Sequence, residues 1–324
     1  CAYCDFYKSA DLRRMDDVLA AMHRELETRR GYLGGEPVRT RYFGGGTPSL
    51  LTPQQIRELL ARAADLYDCT AVEETTLEAN PDDLDGPYLE ALRQAGIDRL
   101  SIGIQSLDDA CLRLMNRRHT ATQAREAVAA ARRAGFGNLT VDLIFGVPGF
   151  GGDSLRRSLD GVLALEPEHV SAYHLTVEPD TAFGRRAAQG AFAPVEEQVS
   201  ETEFRLVHET LTRAGYEHYE VSNYALPGRR ARHNSAYWHG EKYLGIGPAA
   251  HSYDGCERHW NAASVDRYAA GEAAGREVLT DCDRFNEYLL TRLRTAEGIE
   301  LAEAGRLFGT QRLAKLEQEA RRMA

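Results

Sequence analysis

The sequence predicts an α/β fold: a parallel sheet wrapped by helices, closing partway into a (β/α)6-type barrel and followed by a smaller, mainly helical C-terminal part. Three observations predict it. Apolar runs of strand length alternate with amphipathic helical spacings up to about residue 222. Capping residues stand where the helices should begin. Beyond Asn223 the alternation breaks. Alternating strands and helices imply parallel pairing, and right-handed crossovers repeated five or six times curl the sheet toward a barrel.

The first helix is expected over residues 11–30, where Leu12, Met15, Leu19, Met22 and Leu26 form one apolar stripe. A strand over 38–43 follows, then a glycine loop. Thr52 with Gln55 makes a capping box before a helix that opens on Pro53. Further strands are expected at 74–79, 99–105, 139–145 and 170–177. Helices are expected between them at 85–95, 121–134 and 155–165, with Thr120 and Gln123 as a second capping box. A longer helix over 192–215 leads to a last strand near 217–221. Residues 224–253 are rich in Gly, Pro, His and aromatics, and the chain turns helical and charged from about Ser264. The division expected is 1–222 for the barrel and 223–324 for the C-terminal domain.

The 324 residues are 43% hydrophobic and 27% charged, an ordinary globular composition, and the formal net charge of −10 argues against a general nucleic-acid binder. No apolar stretch approaches the roughly 20 residues a membrane helix needs. The chain opens on Cys1 rather than Met, so a preceding segment is expected. Of six cysteines only Cys1 and Cys4 are close in sequence, which fits a reducing, cytoplasmic compartment better than a disulfide scaffold. Cys69, Cys111 and Cys282 read as packing residues.

Two thiolates spaced as Cys1-Ala2-Tyr3-Cys4 can grip zinc, form a redox pair or supply two corners of an iron–sulfur cluster. The loop Gly44-Gly45-Gly46-Thr47-Pro48 lets a ligand approach the backbone, but it lacks the Lys of a phosphate-binding P-loop. Glu78, Gln105 and Asp142 place polar side chains on successive strands, where the mouth of an α/β barrel collects function.

These residues, in this order and spacing, resemble the radical S-adenosylmethionine (SAM) proteins of the coproporphyrinogen-dehydrogenase-like group. The resemblance runs on through Ser171-Ala172-Tyr173, Glu220 to Tyr224, His233-Asn234-Ser235-Ala236-Tyr237-Trp238 and Tyr243 to Pro248. It implies a radical SAM barrel with a 4Fe–4S cluster held by C-x₃-C-x₂-C. Cys1 and Cys4 match the last two ligands, and the first would lie four residues before Cys1. The open iron of such a cluster chelates SAM, whose reductive cleavage releases a 5′-deoxyadenosyl radical. By the same resemblance Gly45, Gly46 and Thr47 meet the methionine end of SAM, and Glu78 is a SAM-contacting carboxylate. Gln105, Arg117 and Asp142 match positions that contact a second SAM, while Tyr3, Tyr173 and His251 match positions near the cofactor.

Two branches of the group differ after the last cluster cysteine. Coproporphyrinogen dehydrogenases carry another Cys two residues on; here the string is Cys4-Asp5-Phe6, as in the HemW-like branch. That branch implies heme binding around His233, since a neutral imidazole can ligate heme iron and flanking aromatics can pack on the macrocycle. The expectation is therefore a heme chaperone with an acceptor protein and an electron donor as partners, and no catalytic residue is assigned. The competing expectation is oxygen-independent oxidative decarboxylation of coproporphyrinogen III.

Overall fold

A computed structural model of the chain describes residues 1–9, 11–272 and 275–323. The Asp11 carboxylate caps a short 3₁₀ turn, Leu12–Arg14, that runs into α1 (Met15–Thr28). Five strands, β1 (Thr40–Phe43), β2 (Glu74–Ala79), β3 (Arg99–Gln105), β4 (Leu139–Phe145) and β5 (His169–His174), then lie side by side in chain order, all parallel. The crossovers carry α2 (Pro53–Leu66), α3 (Gly86–Ala95), α4 (Asp109–Leu114), α5 (Ala121–Arg133) and α6 (Asp153–Leu163). Both expected capping boxes are formed, Thr52 with Gln55 and Thr120 with Gln123. The result is a parallel-dominated half-barrel with helices on its outside.

The last expected strand behaves differently. After α7 (Ala182–Ala188) and α8 (Glu197–Arg213), the strand β6 (Glu217–Glu220) turns at once into β7 (Asn223–Ala225). The two pair antiparallel, and β7 inserts antiparallel between β5 and β6. A link of two residues can only reverse direction, so β7 runs against the five parallel strands while β6 keeps their direction without pairing with β5. The seven-stranded sheet thus takes in residues on both sides of the expected boundary at 222.

The two faces of this sheet are unlike. Leu77, Leu100, Ile102, Val141, Leu143 and Val170 are fully buried against Ile56, Leu89, Ala124 and Leu159 of the helices, forming one core. Because side chains alternate along a strand, the opposite face carries Thr40 and Tyr42 of β1, Glu74 and Glu78 of β2, Ser101 of β3 and Asp142 of β4. Cross-strand bonds from Tyr42 to Glu78 and from Ser101 to Asp142 place these side chains on one face. A sheet covered by helices on both sides would be apolar on both; the polar inner face is what leaves a barrel mouth fit for ligands.

The chain after β7 adds α9 (Arg232–His239), β8 (His251–Tyr253), β9 (Glu257–Trp260), α10 (Val265–Ala269), β10 (Gly275–Val278), α11 (Asp281–Arg292), α12 (Leu301–Phe308) and α13 (Thr310–Met323). Strands β8, β9 and β10 form a separate antiparallel sheet that the sequence reading did not contain. Gly275 is required there, because a Cβ would overlap the Trp260 ring. Cys111 is buried as expected, but Cys282 is exposed on α11 and packs in no core. Among the described residues, no helix is long and apolar enough to cross a membrane.

Candidate functional site

The glycine loop leaves the C-terminal end of β1 at the mouth of the half-barrel. A Cβ on Gly44 would come within 2.6 Å of the Tyr42 ring and 3.1 Å of a Glu78 carboxylate oxygen. Gly45 has φ +99°, and Gly45 and Gly46 border open space. The loop is therefore tight at its base and open at its tip. Thr47 precedes the 3₁₀ turn Pro48–Leu50, and its hydroxyl is not spent on capping that turn.

Glu78, one residue from the end of β2, accepts a 2.6 Å hydrogen bond from the Tyr42 hydroxyl. Burial pushes its carboxyl up to about 7, against the opposing pull of the Tyr42 hydroxyl and the Gly45 amide. Among the described residues no cation pairs with it. On β3, Gln105 is buried with φ +62°, at an irregularity in the register with β4. A non-glycine residue in the left-handed region costs on the order of 1–3 kcal/mol and tends to mark a functional site. The Gln105 amide lies over Gly103, where a Cβ would strike it.

Arg117, in the loop after α4, knots these pieces together. Its guanidinium donates to the Gly103 carbonyl (2.7 Å), the Asn80 side chain (2.8 Å) and the Cys1 sulfur (3.1 Å). Among the described residues its Nε is buried without a hydrogen-bond partner. Cys1 is exposed and Cys4 half-buried. The segment between them is fixed by hydrogen bonds from the Ala2 amide to Met115 and from the Phe183 amide to the Ala2 carbonyl. Tyr3 packs beside Phe183, and burial pushes its hydroxyl up to about 12. Asp142 departs from its expected place: it stands in the middle of β4, one layer below the mouth, bonded to Ser101 at 3.2 Å and raised in pKa by burial. Tyr173 lies near the end of β5 with 41% of its surface exposed.

His233 lies in α9, a helix that packs on β1. Its Nδ1 is 2.8 Å from the Thr40 hydroxyl and its Nε2 is 2.9 Å from the Tyr237 hydroxyl. The ring stacks on Tyr42 at 4.7 Å and 16°. Burial lowers the imidazole to about 4, so it is neutral at physiological pH. The buried Glu74 carboxylate accepts the first two amides of α9, those of Arg232 and His233, each at 3.0 Å. It supplies the cap that Ala231 cannot.

The structure brings Cys1, Gly45, Gly46, Glu78, Gln105, Arg117 and His233 into one connected region through Tyr42, Asn80 and Gly103. His251 sits on the second sheet. It is exposed on β8, stacked on Trp260 at 6.1 Å, and lines a cavity of about 260 Å³ with Asn261 and Arg267. Among the described residues it makes no hydrogen bond to the Glu78–Arg117 group. Sequence reasoning missed Thr40 and Glu74; Tyr42, at the head of the glycine-loop string, and Tyr237, in the string that begins at His233, carried no separate role. Glu74-x-Thr76-x-Glu78 was a usable signal, since polar residues at every second position of a strand mark a polar face.

The donor set suits SAM and a cluster. Glu78 offers a seat for cationic groups, Arg117 with its orphaned N–H offers one for a carboxylate, and Gly45 and Gly46 leave the approach clear. Cys1 presents its sulfur to Arg117, and Cys4 follows three residues on, half-buried.

Comparison with known proteins agrees. The radical SAM superfamily model matches residues 1–161. The heme chaperone HemW of Mycobacterium tuberculosis is 38% identical over 315 residues, covering 94% of this chain and 81% of that protein. HemW of Lactococcus lactis is 34% identical over 304 residues, covering 92% and 79%. The solved coproporphyrinogen III oxidase HemN of Escherichia coli superposes with a TM-score of 0.81 over 96% of this chain and 76% of its own, at 24% identity, a likeness of fold. With identity at this level along nearly its whole length, the chain belongs to the HemW family of the radical SAM superfamily.

Proposed function

We propose that this protein binds heme and passes it to an acceptor protein in the cytoplasm, using a 4Fe–4S cluster at Cys1 and Cys4 and SAM in the half-barrel mouth. One observation above all supports the heme role: His233 is a neutral imidazole with one nitrogen oriented by Thr40 and the other facing the part-exposed Tyr237. The tautomer that donates Nδ1–H to Thr40 leaves the Nε2 lone pair toward Tyr237. Tyr237 is 43% exposed, so it can swing away and yield that position to iron. Metal-ligating histidines are held in this manner, by a hydrogen bond on the other ring nitrogen.

When bound, the cluster and SAM supply one-electron chemistry, with the electron coming from a separate donor. Gly45, Gly46 and Thr47 would receive the methionine end and Glu78 its positive charge. Gln105, Arg117 and Asp142 would meet a second SAM, with Tyr3, Tyr173 and His251 at the margin. Residues 1–222 would form the SAM-binding unit and residues 223–324 would add the heme-facing helix α9.

Titration of heme into the cluster-reconstituted full-length protein is expected to give a stoichiometric Soret band, with His233→Ala weakening binding by tenfold or more. Binding unaffected by His233→Ala would remove that ligand. Anaerobic incubation with coproporphyrinogen III, SAM and a reductant is expected to leave the substrate intact. Accumulating protoporphyrinogen would overturn the chaperone reading. Gly46→Ala provides a check on the SAM seat. Its Cβ points into open space, so unfolding stability should shift by less than about 0.5 kcal/mol, while SAM affinity measured by calorimetry should fall at least tenfold.

A further inference from the structure

Where α8 packs on the far edge of the sheet, two histidines turn toward each other, and neither belongs to the site described above. The Nδ1 atoms of His208 on α8 and His218 on β6 stand 3.0 Å apart. The Nε2 of His218 is 3.3 Å from the Val221 carbonyl, which can only accept. His218 thus carries its hydrogen on Nε2 and presents a bare Nδ1, and His208 supplies the hydrogen shared between the two rings. A carbonyl on the other ring nitrogen is the arrangement that orients a metal-ligating histidine. The His218 ring is also stacked on Tyr224 at 4.1 Å and 10°. Tyr224 is 1% exposed, and its hydroxyl has no hydrogen-bond partner among the described residues. Both histidines are half-buried, so the pair is open to an ion from solvent.

We propose that His208 and His218 chelate a divalent late transition-metal ion of the Zn²⁺ class, with water completing its coordination. The site is independent of the heme and SAM seats. Imidazole nitrogen suits such ions, whereas Mg²⁺ and Ca²⁺ seek oxygen. Zn–N bonds of about 2.0–2.1 Å at a tetrahedral ion set two nitrogens about 3.3 Å apart. The rings need to part by only a few tenths of an ångström from their present spacing. The ion takes the place of the shared hydrogen. His208 passes to the tautomer protonated at Nε2, His218 keeps its Nε2–H, and no net proton is released. The unpaired Tyr224 hydroxyl is the group left for a metal-bound water to satisfy. An ion held there pins α8 to the β6–β7 hairpin, the element that leads into α9.

The test titrates Zn²⁺ into the cluster-reconstituted full-length protein under anaerobic conditions, in competition with a chromophoric chelator. His208→Gln and His218→Gln are each expected to weaken binding by about tenfold or more. Zn²⁺ held by exposed thiols instead would bind both variants as it binds the unmodified protein, and that result would overturn the site. A second measurement needs no variant. The zinc X-ray absorption spectrum of the loaded, unmodified protein should show imidazole scattering with nitrogen or oxygen at about 2.0–2.1 Å. Sulfur at about 2.3 Å as the dominant neighbour, or no zinc retained at all, would equally end the proposal.

Discussion

Glu74→Ala is expected to destabilise the protein by about 3–5 kcal/mol, the cost of removing one partner of a buried ion pair. Glu74 is 2% exposed and the Arg99 beside it 1% exposed, with Nε and carboxylate oxygen 3.9 Å apart. Arg99 also donates to Asn138 and Thr140 across the base of the sheet. Removing the carboxylate leaves a buried guanidinium short of its counter-charge and exposes two helix amides with no acceptor. The negative charge is also lost from the positive end of the α9 dipole. Urea unfolding should show the loss, and hydrogen exchange should show faster exchange in α9 than in β3 or β4. A loss under about 1 kcal/mol would mean that water reaches the base of the half-barrel and replaces the carboxylate.

Glu78→Gln should act in the opposite direction. The folded protein holds this carboxyl at about 7 against an ordinary value near 4.5. A raised acid pKa means folding favours the protonated form. The cost is absent below about pH 4, where both states are protonated, grows as pH rises toward 7, and is constant above it. At 1.36 kcal/mol per unit the ceiling is about 3 kcal/mol, and residual hydration of a half-buried group brings the expectation to about 2 kcal/mol. Glutamine keeps an acceptor for the Tyr42 hydroxyl. The variant should therefore match the parent at pH 4 and exceed it by about 2 kcal/mol at pH 8, with SAM binding at pH 8 at least tenfold weaker. A stability gain without loss of SAM affinity would take Glu78 out of the site. Retaining a costly ionisable group is the familiar exchange of stability for function.

The strands over 74–79, 99–105 and 139–145 are legible to the residue because outward apolar or β-branched residues alternate with inward polar ones at period two between turn residues. Their partners in the second sheet are not. Glu257-Arg258-His259-Trp260 and Gly275-Arg276-Glu277-Val278 are short and mostly polar, and they are held by pairing and the Arg276–Glu257 ion pair rather than by a buried face. The β6–β7 hairpin was hidden for a related reason: three residues of β7 are too few to show a period. At the site, the motif residues were visible through their resemblance to a family, whereas the roles of Tyr42 and Glu74 were not. Their importance comes from what faces them, His233 and the α9 amides, and no local pattern encodes a partner that far along the chain.

That separation has a consequence for how the protein is made. The five parallel strands stand in chain order, so each can add to the last as it leaves the ribosome. The cradle of β1 and β2 exists early, but the helix that completes it arrives 158 residues after Glu74. A nascent chain can thus build its glycine loop and the Glu78 carboxylate well before His233 is made. The contact between α9 and the first strands can form only once residues up to His239 have been made.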